Sequence, residues 1–170
     1  MAASTCRMYS ICARCGFRRA GLIAVLCALL VACGDSGTPQ ERIRTLVSAM
    51  QAAVERGSLG DAAELLAKDY RDEVHADKKA ALRSLFVYLR RNQNIHLFVR
   101  VSEIRLDEGG QHAQLLAYVA MTAKPVESAQ ALIPLKADLY RFDVKLQLDD
   151  GEWRFASARW RPALLSDLGV

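Results

Sequence analysis

Five cysteines and three histidines are the residues best suited to metal or redox chemistry, and their spacing argues against both. Cys12-Ala13-Arg14-Cys15 has the spacing of a thiolate pair, but no second pair follows as a tetrahedral zinc site requires. His75, His96 and His112 are scattered, without an H-E-x-x-H pattern. The chain has no phosphate-cradling glycine loop and no G-x-S-x-G nucleophile turn. The expectation is no metal, no cofactor and no catalytic set of recognisable type.

Proton transfer needs less. A carboxylate base in an apolar pocket, beside a neutral tyrosine donor, can move a proton next to a carbonyl. Tyr70, Tyr118 and Tyr140 can donate, although Tyr70 reads first as a core or helix-packing aromatic; a base is harder to find, and Asp72 is only the least poor candidate. His96 alternates with Ile95 and Leu97, sharing a strand face with Phe98 and Arg100, and reads as a surface or satisfied residue. Tyr140, Phe142, Val144, Leu146 and Leu148 alternate up to the turn Asp150-Gly151. The simplest hairpin register then pairs Leu148 with Trp153, Leu146 with Phe155, Val144 with Ser157, Phe142 with Arg159 and Tyr140 with Arg161. That register grades the inner face from dry at Trp153 to polar at Arg159, as at a pocket mouth. There Arg159 can grip an anion bidentately. An ion pair with Asp72 or Glu73, or a bulge that turns the arginines to solvent, stays open as an alternative. The candidate pocket residues are Tyr70, Tyr118, Tyr140, Trp153 and Arg159.

These residues need elements to position them. Thr38-Pro39-Gln40-Glu41 carries a capping box with proline at the first helical position. Ile43, Leu46, Val47, Met50 and Val54 follow at helical spacing, and Gly57 ends the helix. Asp61–Ala67 predicts a short second helix. Asp77 caps a third, with Leu82, Leu85, Phe86 and Leu89 expected on its inner face. The period then changes to two. Ile95–Leu106 alternates with a phase slip at Ser102–Glu103, predicting a bulged strand. Strands over Ala113–Ala123, Ala137–Leu148 and Glu152–Arg161 complete an antiparallel meander. Lys124–Lys136 and the tail Pro162–Val170 hold apolar residues expected to cover sheet edges or the open end; a lid, a partner contact or a membrane-facing edge are the alternatives.

Three helices before a long meander predict an α+β domain with helices on one face of a curved sheet. The element order, the stretch from Asp61 to Lys68-Asp69-Tyr70, and the ending Asp149-Asp150-Gly151-Glu152-Trp153-Arg154 resemble the nuclear transport factor 2-like fold. The resemblance spans about residues 38–162. It implies a cone with a pocket between helices and sheet. The superfamily holds isomerases, cyclases and dehydratases alongside non-catalytic binding and dimerisation modules, so fold alone leaves function open.

The leader carries a different message. Arg7, Arg14, Arg18 and Arg19 precede the apolar run Leu22–Val31, with no acidic residue before Asp35. This is the pattern of a secretory signal, and the run is shorter than the about 20 residues a spanning helix needs. Leu30-Val31-Ala32-Cys33 resembles the lipobox of bacterial lipoproteins. The resemblance implies a signal peptide over 1–32, with Met1 or Met8 as start, diacylglycerol on the Cys33 sulfur, and an acylated new amine. Residues 33–37 are then a lipidated tether and 38–170 the domain. Several acyl chains give stable anchoring at about 0.8 kcal/mol per buried CH₂.

Cleavage rewrites the composition. The 170 residues carry 23 Lys+Arg and 19 Asp+Glu, a net charge of +4. Four of the basic residues lie in the leader, which leaves 19 of each sign. The case for nucleic acid goes with them. Four of the five cysteines also go, so no internal disulfide is available. Cutting 32 residues from 170 leaves 138, enough to bury a core. The expected function is a lipid-anchored, periplasm-facing binding or interaction module, non-catalytic. The alternative is a small isomerase-, cyclase- or dehydratase-like enzyme acting on an apolar ligand. Expected partners are the membrane through Cys33, and an apolar small molecule or an envelope protein; a homodimer is left open. Gly34, rather than aspartate, follows Cys33, which favours the outer over the inner membrane, although Asp35 comes next.

Overall fold

The computed structural model describes residues 37–92, 94–135 and 137–170. The segment read as a signal peptide, Cys33 and most of the expected tether lie outside the described residues.

The first helix, α1 (Pro39–Glu55), begins where the capping box sets it. The Thr38 hydroxyl accepts from the Glu41 amide at 3.3 Å, and the Glu41 carboxylate accepts from the Thr38 amide at 2.7 Å. Ile43, Leu46 and Ala53 are its buried stripe, and Gly57 exits with φ of 67°. The second helix, α2 (Leu59–Leu65), starts two residues earlier than expected because Ser58 caps it. It also stops earlier. Leu66 turns extended and bridges Phe155, and Ala67 N–H donates to Phe155 O at 2.9 Å. The chain then follows this sheet edge to Arg71, whose N–H donates to Ala156 O at 3.3 Å. The third helix, α3 (Lys78–Arg91), is capped by Asp77 through the Ala80 amide at 2.7 Å.

Four antiparallel strands follow in the order β1-β2-β3-β4: β1 (His96–Leu106), β2 (His112–Thr122), β3 (Leu139–Asp149) and β4 (Glu152–Ala163). The bulge in β1 falls between Val101 and Glu103, as the phase slip predicts. Asp150 and Gly151 both take positive φ, 50° and 81°, the twist a two-residue hairpin needs. This is the α+β arrangement of helices followed by an antiparallel sheet.

The sheet buries both faces. On the helix side, Ile43, Leu46 and Tyr70 pack on Leu115, Val144, Leu146, Trp153 and Phe155. On the far side, Phe98, Tyr118, Ala120 and Leu139 are covered by two 3-10 segments, Ala129–Leu135 and Leu165–Leu168. Ala129, Leu132 and Leu168 are the residues these segments bury. The apolar connection and tail thus cover a sheet face.

Two expectations fail, the second only in part, for physical reasons. In β4 the pairing slips after Phe155, so Ser157 faces Lys145, Ala158 faces Val144, Arg159 faces Asp143 and Trp160 faces Phe142. One extra residue, Ala156, bends the strand and reverses its alternation. Ala158 and Trp160 therefore lie on the helix side, and Arg159 and Arg161 on the far side. In α3 the predicted inner stripe holds only in part: Leu82, Leu85 and Leu89 are half-buried, but Phe86 turns out to solvent. Phe86 is 50% exposed and Val87 45%, and no residue of the helix is fully buried. Ala81 packs on the core, and Ser84 and Tyr88, though largely exposed, reach His75 and Met121.

Candidate functional site

The five candidate pocket residues divide between the two faces. Tyr70 and Trp153 sit in the helix-side core. Tyr140 lies on the same face, toward the end held by Phe142 and Trp160, because it alternates with Phe142 and Val144. Tyr118 belongs to the far-side core with Phe98 and Leu132. Arg159 is also on the far side, 72% exposed, with Nε 2.9 Å from Glu73 Oε1. It is the ion pair left open above, made outside the cone. His96 also falls on the far side, next to Phe98.

The helix-side face carries a polar cluster that single-residue reading does not assemble. Residues 70–77 connect the β4 edge to α3, and Asp72 organises them. Its Oδ1 accepts from the Val74 and His75 amides at 2.8 and 2.7 Å. Its Oδ2 accepts from the Tyr70 hydroxyl at 3.0 Å. The His75 ring closes back on it, with Nδ1 2.9 Å from Oδ2. His75 Nε2 in turn lies 2.8 Å from Ser84 Oγ on α3.

The electrostatics fix the proton positions. The Asp72 side chain is only 2% exposed. Burial works to raise its carboxyl, but hydrogen bonds from His75, the Val74 and His75 amides and Tyr70 hold it below the ordinary value. Tyr70 responds oppositely: burial, then the bond to Asp72 and its charge, push the phenol up. An ionised Asp72 only accepts, so the neutral tautomer of His75 that fits here has its proton on Nδ1. Nε2 is left as the acceptor, facing the Ser84 hydroxyl.

Aromatic rings frame this cluster. Trp160 stacks on His75 at 6.4 Å and on Phe142 at 6.0 Å, with interplanar angles of 25° and 24°. It remains 38% exposed. The Tyr88 hydroxyl donates to Met121 Sδ at 2.6 Å, and burial followed by nearby Tyr140 raises its phenol. Between β4 and α3 the site thus offers an aromatic wall with a polar end. It can stack a flat apolar ligand, and His75 Nε2 can accept a proton. Asp72 was legible as a base candidate, but Ser84 and Trp160 were not. The signal for Trp160 was its parity, since a large apolar residue at 160 is out of phase with Trp153 and Phe155.

The far side holds a groove of about 620 Å³ crossed by ion pairs. Arg105 meets Glu103 at 2.6 Å, Arg141 meets Asp143 at 2.9 Å, and Arg159 meets Glu73. These exposed pairs neutralise one another and contribute little each. Among the described residues, no cluster of His, Cys, Asp and Glu could hold a metal ion, and no helix is long and apolar enough to cross a membrane.

No family model matches the chain, and no curated relative matches it. Solved structures do. A protein assigned as a dehydratase of the nuclear transport factor 2-like family from Streptomyces avermitilis is 15% identical, covers 74% of this chain and 97% of its own, and has a TM-score of 0.57. A hexachlorocyclohexane dehydrochlorinase from Novosphingobium barchaimii is 15% identical over 74% of this chain and 86% of its own, with a TM-score of 0.55. A nuclear transport factor 2-like protein of unknown function from Silicibacter pomeroyi is 16% identical over 75% of this chain and all of its own, with a TM-score of 0.54. At such identities the likeness is one of fold, and that fold is nuclear transport factor 2-like.

Proposed function

We propose that this nuclear transport factor 2-like chain is a lipid-anchored module of the bacterial cell envelope that binds a flat, apolar small molecule without transforming it. Trp160 carries the binding reading. A large indole left 38% exposed on the helix side, and held by Phe142 and His75, offers apolar surface that a flat ligand can cover. The anchor rests on Leu30-Val31-Ala32-Cys33, and Gly34 after the cysteine favours the periplasmic leaflet of the outer membrane. Purification of the lipidated protein from membranes, with mass spectrometry of what accompanies it, tests both parts. The expected result is an acylated N-terminal peptide and a co-purifying aromatic metabolite that Trp160→Ala loses. An unacylated Cys33 sinks the anchor, and a metabolite held equally by Trp160→Ala sinks the pocket.

One observation favours a second reading. Asp72 orients His75 with an accepting Nε2, an arrangement suited to abstracting a proton. Two proteins of similar fold are a dehydrochlorinase and an assigned dehydratase. Conversion of the co-purified compound by the wild type but not by His75→Gln would establish this enzyme reading over simple binding.

A further inference from the structure

The outward stripe of α3 runs Lys79, Leu82, Arg83, Phe86, Val87 and Arg90, each position three or four residues, or one, from the next. Leu82, Phe86 and Val87 floor an open groove of about 760 Å³. Lys68, Lys79 and Arg83 stand around it. The whole helix holds five cations, Lys78, Lys79, Arg83, Arg90 and Arg91, and no acidic residue. The N-cap Asp77 is the one acidic residue at the groove, against Lys68, Lys78, Lys79 and Arg83; an apolar stripe flanked by such an excess of positive charge is the pattern of a helix lying in a lipid headgroup layer.

Its place in the fold agrees. One turn inside α1, the Arg42 guanidinium donates to Gly151 O in the β3–β4 turn. Asp150 of that turn lines a groove with Lys68 and Lys78. Lys78 itself donates to Leu66 O at 2.8 Å. The N-terminal ends of α1 and α3 are therefore at the same end of the domain. The tether joins at Thr38, and its residues reach at most about 3.3–3.6 Å each. A leash this short, fixed at this end, brings α3 to the surface that holds the acyl chains.

We infer that α3 is a membrane-contact helix: its Leu82–Phe86–Val87 stripe enters an anionic phospholipid surface while the flanking Lys and Arg meet the phosphates. The inference rests on the anchored reading for the tether, and the two can fail separately. The mature chain has no free thiol if Cys33 is acylated, so Phe86→Cys provides one labelling site for an environment-sensitive fluorophore. Lys145→Cys, exposed on the far side of the sheet, is the control.

The lipidated variants are reconstituted in phosphatidylethanolamine/phosphatidylglycerol vesicles containing a spin-labelled lipid quencher. The expected result is a blue-shifted, quenched label at position 86 and an unquenched one at 145. Lys79→Gln with Arg83→Gln should weaken the quenching several-fold, because two cations facing an anionic surface are lost. Labels at 86 and 145 quenched alike, or neither quenched, in acylated protein would overturn the inference. If mass spectrometry shows no acyl chain, the anchor fails, and quenching of the same label by added vesicles still decides for or against α3.

Discussion

His75 Nδ1 lies 2.9 Å from Asp72 Oδ2, and this bond within the loop that leads into α3 fixes the ring that stacks on Trp160 of β4. Asp72 is expected to set the acid limb of stability. Its folded carboxyl titrates below the ordinary value of 3.8. A depressed carboxyl contributes stability that is present above the unfolded pKa and lost as pH falls through the folded one. Asp72→Asn should therefore flatten the loss of stability below about pH 4 while lowering stability at neutral pH by about 1–3 kcal/mol. Urea unfolding at several pH values reads both effects, and an unchanged acid limb would show that the cluster does not govern it.

Trp160 separates binding from folding. It is partly exposed and stacked on two rings, so Trp160→Ala should cost only about 1–2 kcal/mol of stability. Fluorescence of an anilinonaphthalene sulfonate probe should fall to background if the aromatic wall is the site. Retained probe binding would place the apolar site elsewhere.

Trp153 makes the opposite case. It is buried in the helix-side core, and its Nε1 has no hydrogen-bond partner in the structure. Trp153→Phe gives up no hydrogen bond and should change stability by less than about 1.5 kcal/mol. Trp153→Ala opens a cavity and should cost about 3–5 kcal/mol. Thermal unfolding distinguishes them, and similar losses for both would mean that the indole N–H matters.

The extra residue in β4 should be costly to remove. Deleting Ala156 restores simple alternation, which swings Arg159 inward and Trp160 outward. It also removes the carbonyl that accepts from Arg71. We expect a protein that fails to fold cooperatively, seen as loss of near-ultraviolet circular dichroism. A native-like spectrum would show that the sheet tolerates either register.

Local chemistry made much of the fold legible. The box of Thr38 and Glu41, the stop at Gly57 and the turn at Asp150-Gly151 each act within a few residues, so the sequence carries them whole. The β1 bulge was legible because Val101 and Ile104 are large and out of step. The β4 bulge falls in Ala156-Ser157-Ala158, where small side chains carry no phase, so only Trp160 marked it. The orientation of α3 was hidden for another reason. Periodicity finds an apolar stripe but not how deeply it is covered, and here Leu82, Leu85 and Leu89 are only half-buried while the exposed Ser84 and Tyr88 make the contacts to His75 and Met121. Asp72 and His75 were visible separately, but Ser84 joins them only when the loop folds back.

The strap from Leu66 to Arg71 also decides how copies of this protein can meet. A bare edge strand offers its amides and carbonyls to any passing strand. Here the Phe155 and Ala156 carbonyls already have donors from the same chain. Crowded together on one surface, such molecules are barred from growing a shared sheet through this stretch of β4. Any contact made along this stretch falls to side chains instead of the backbone.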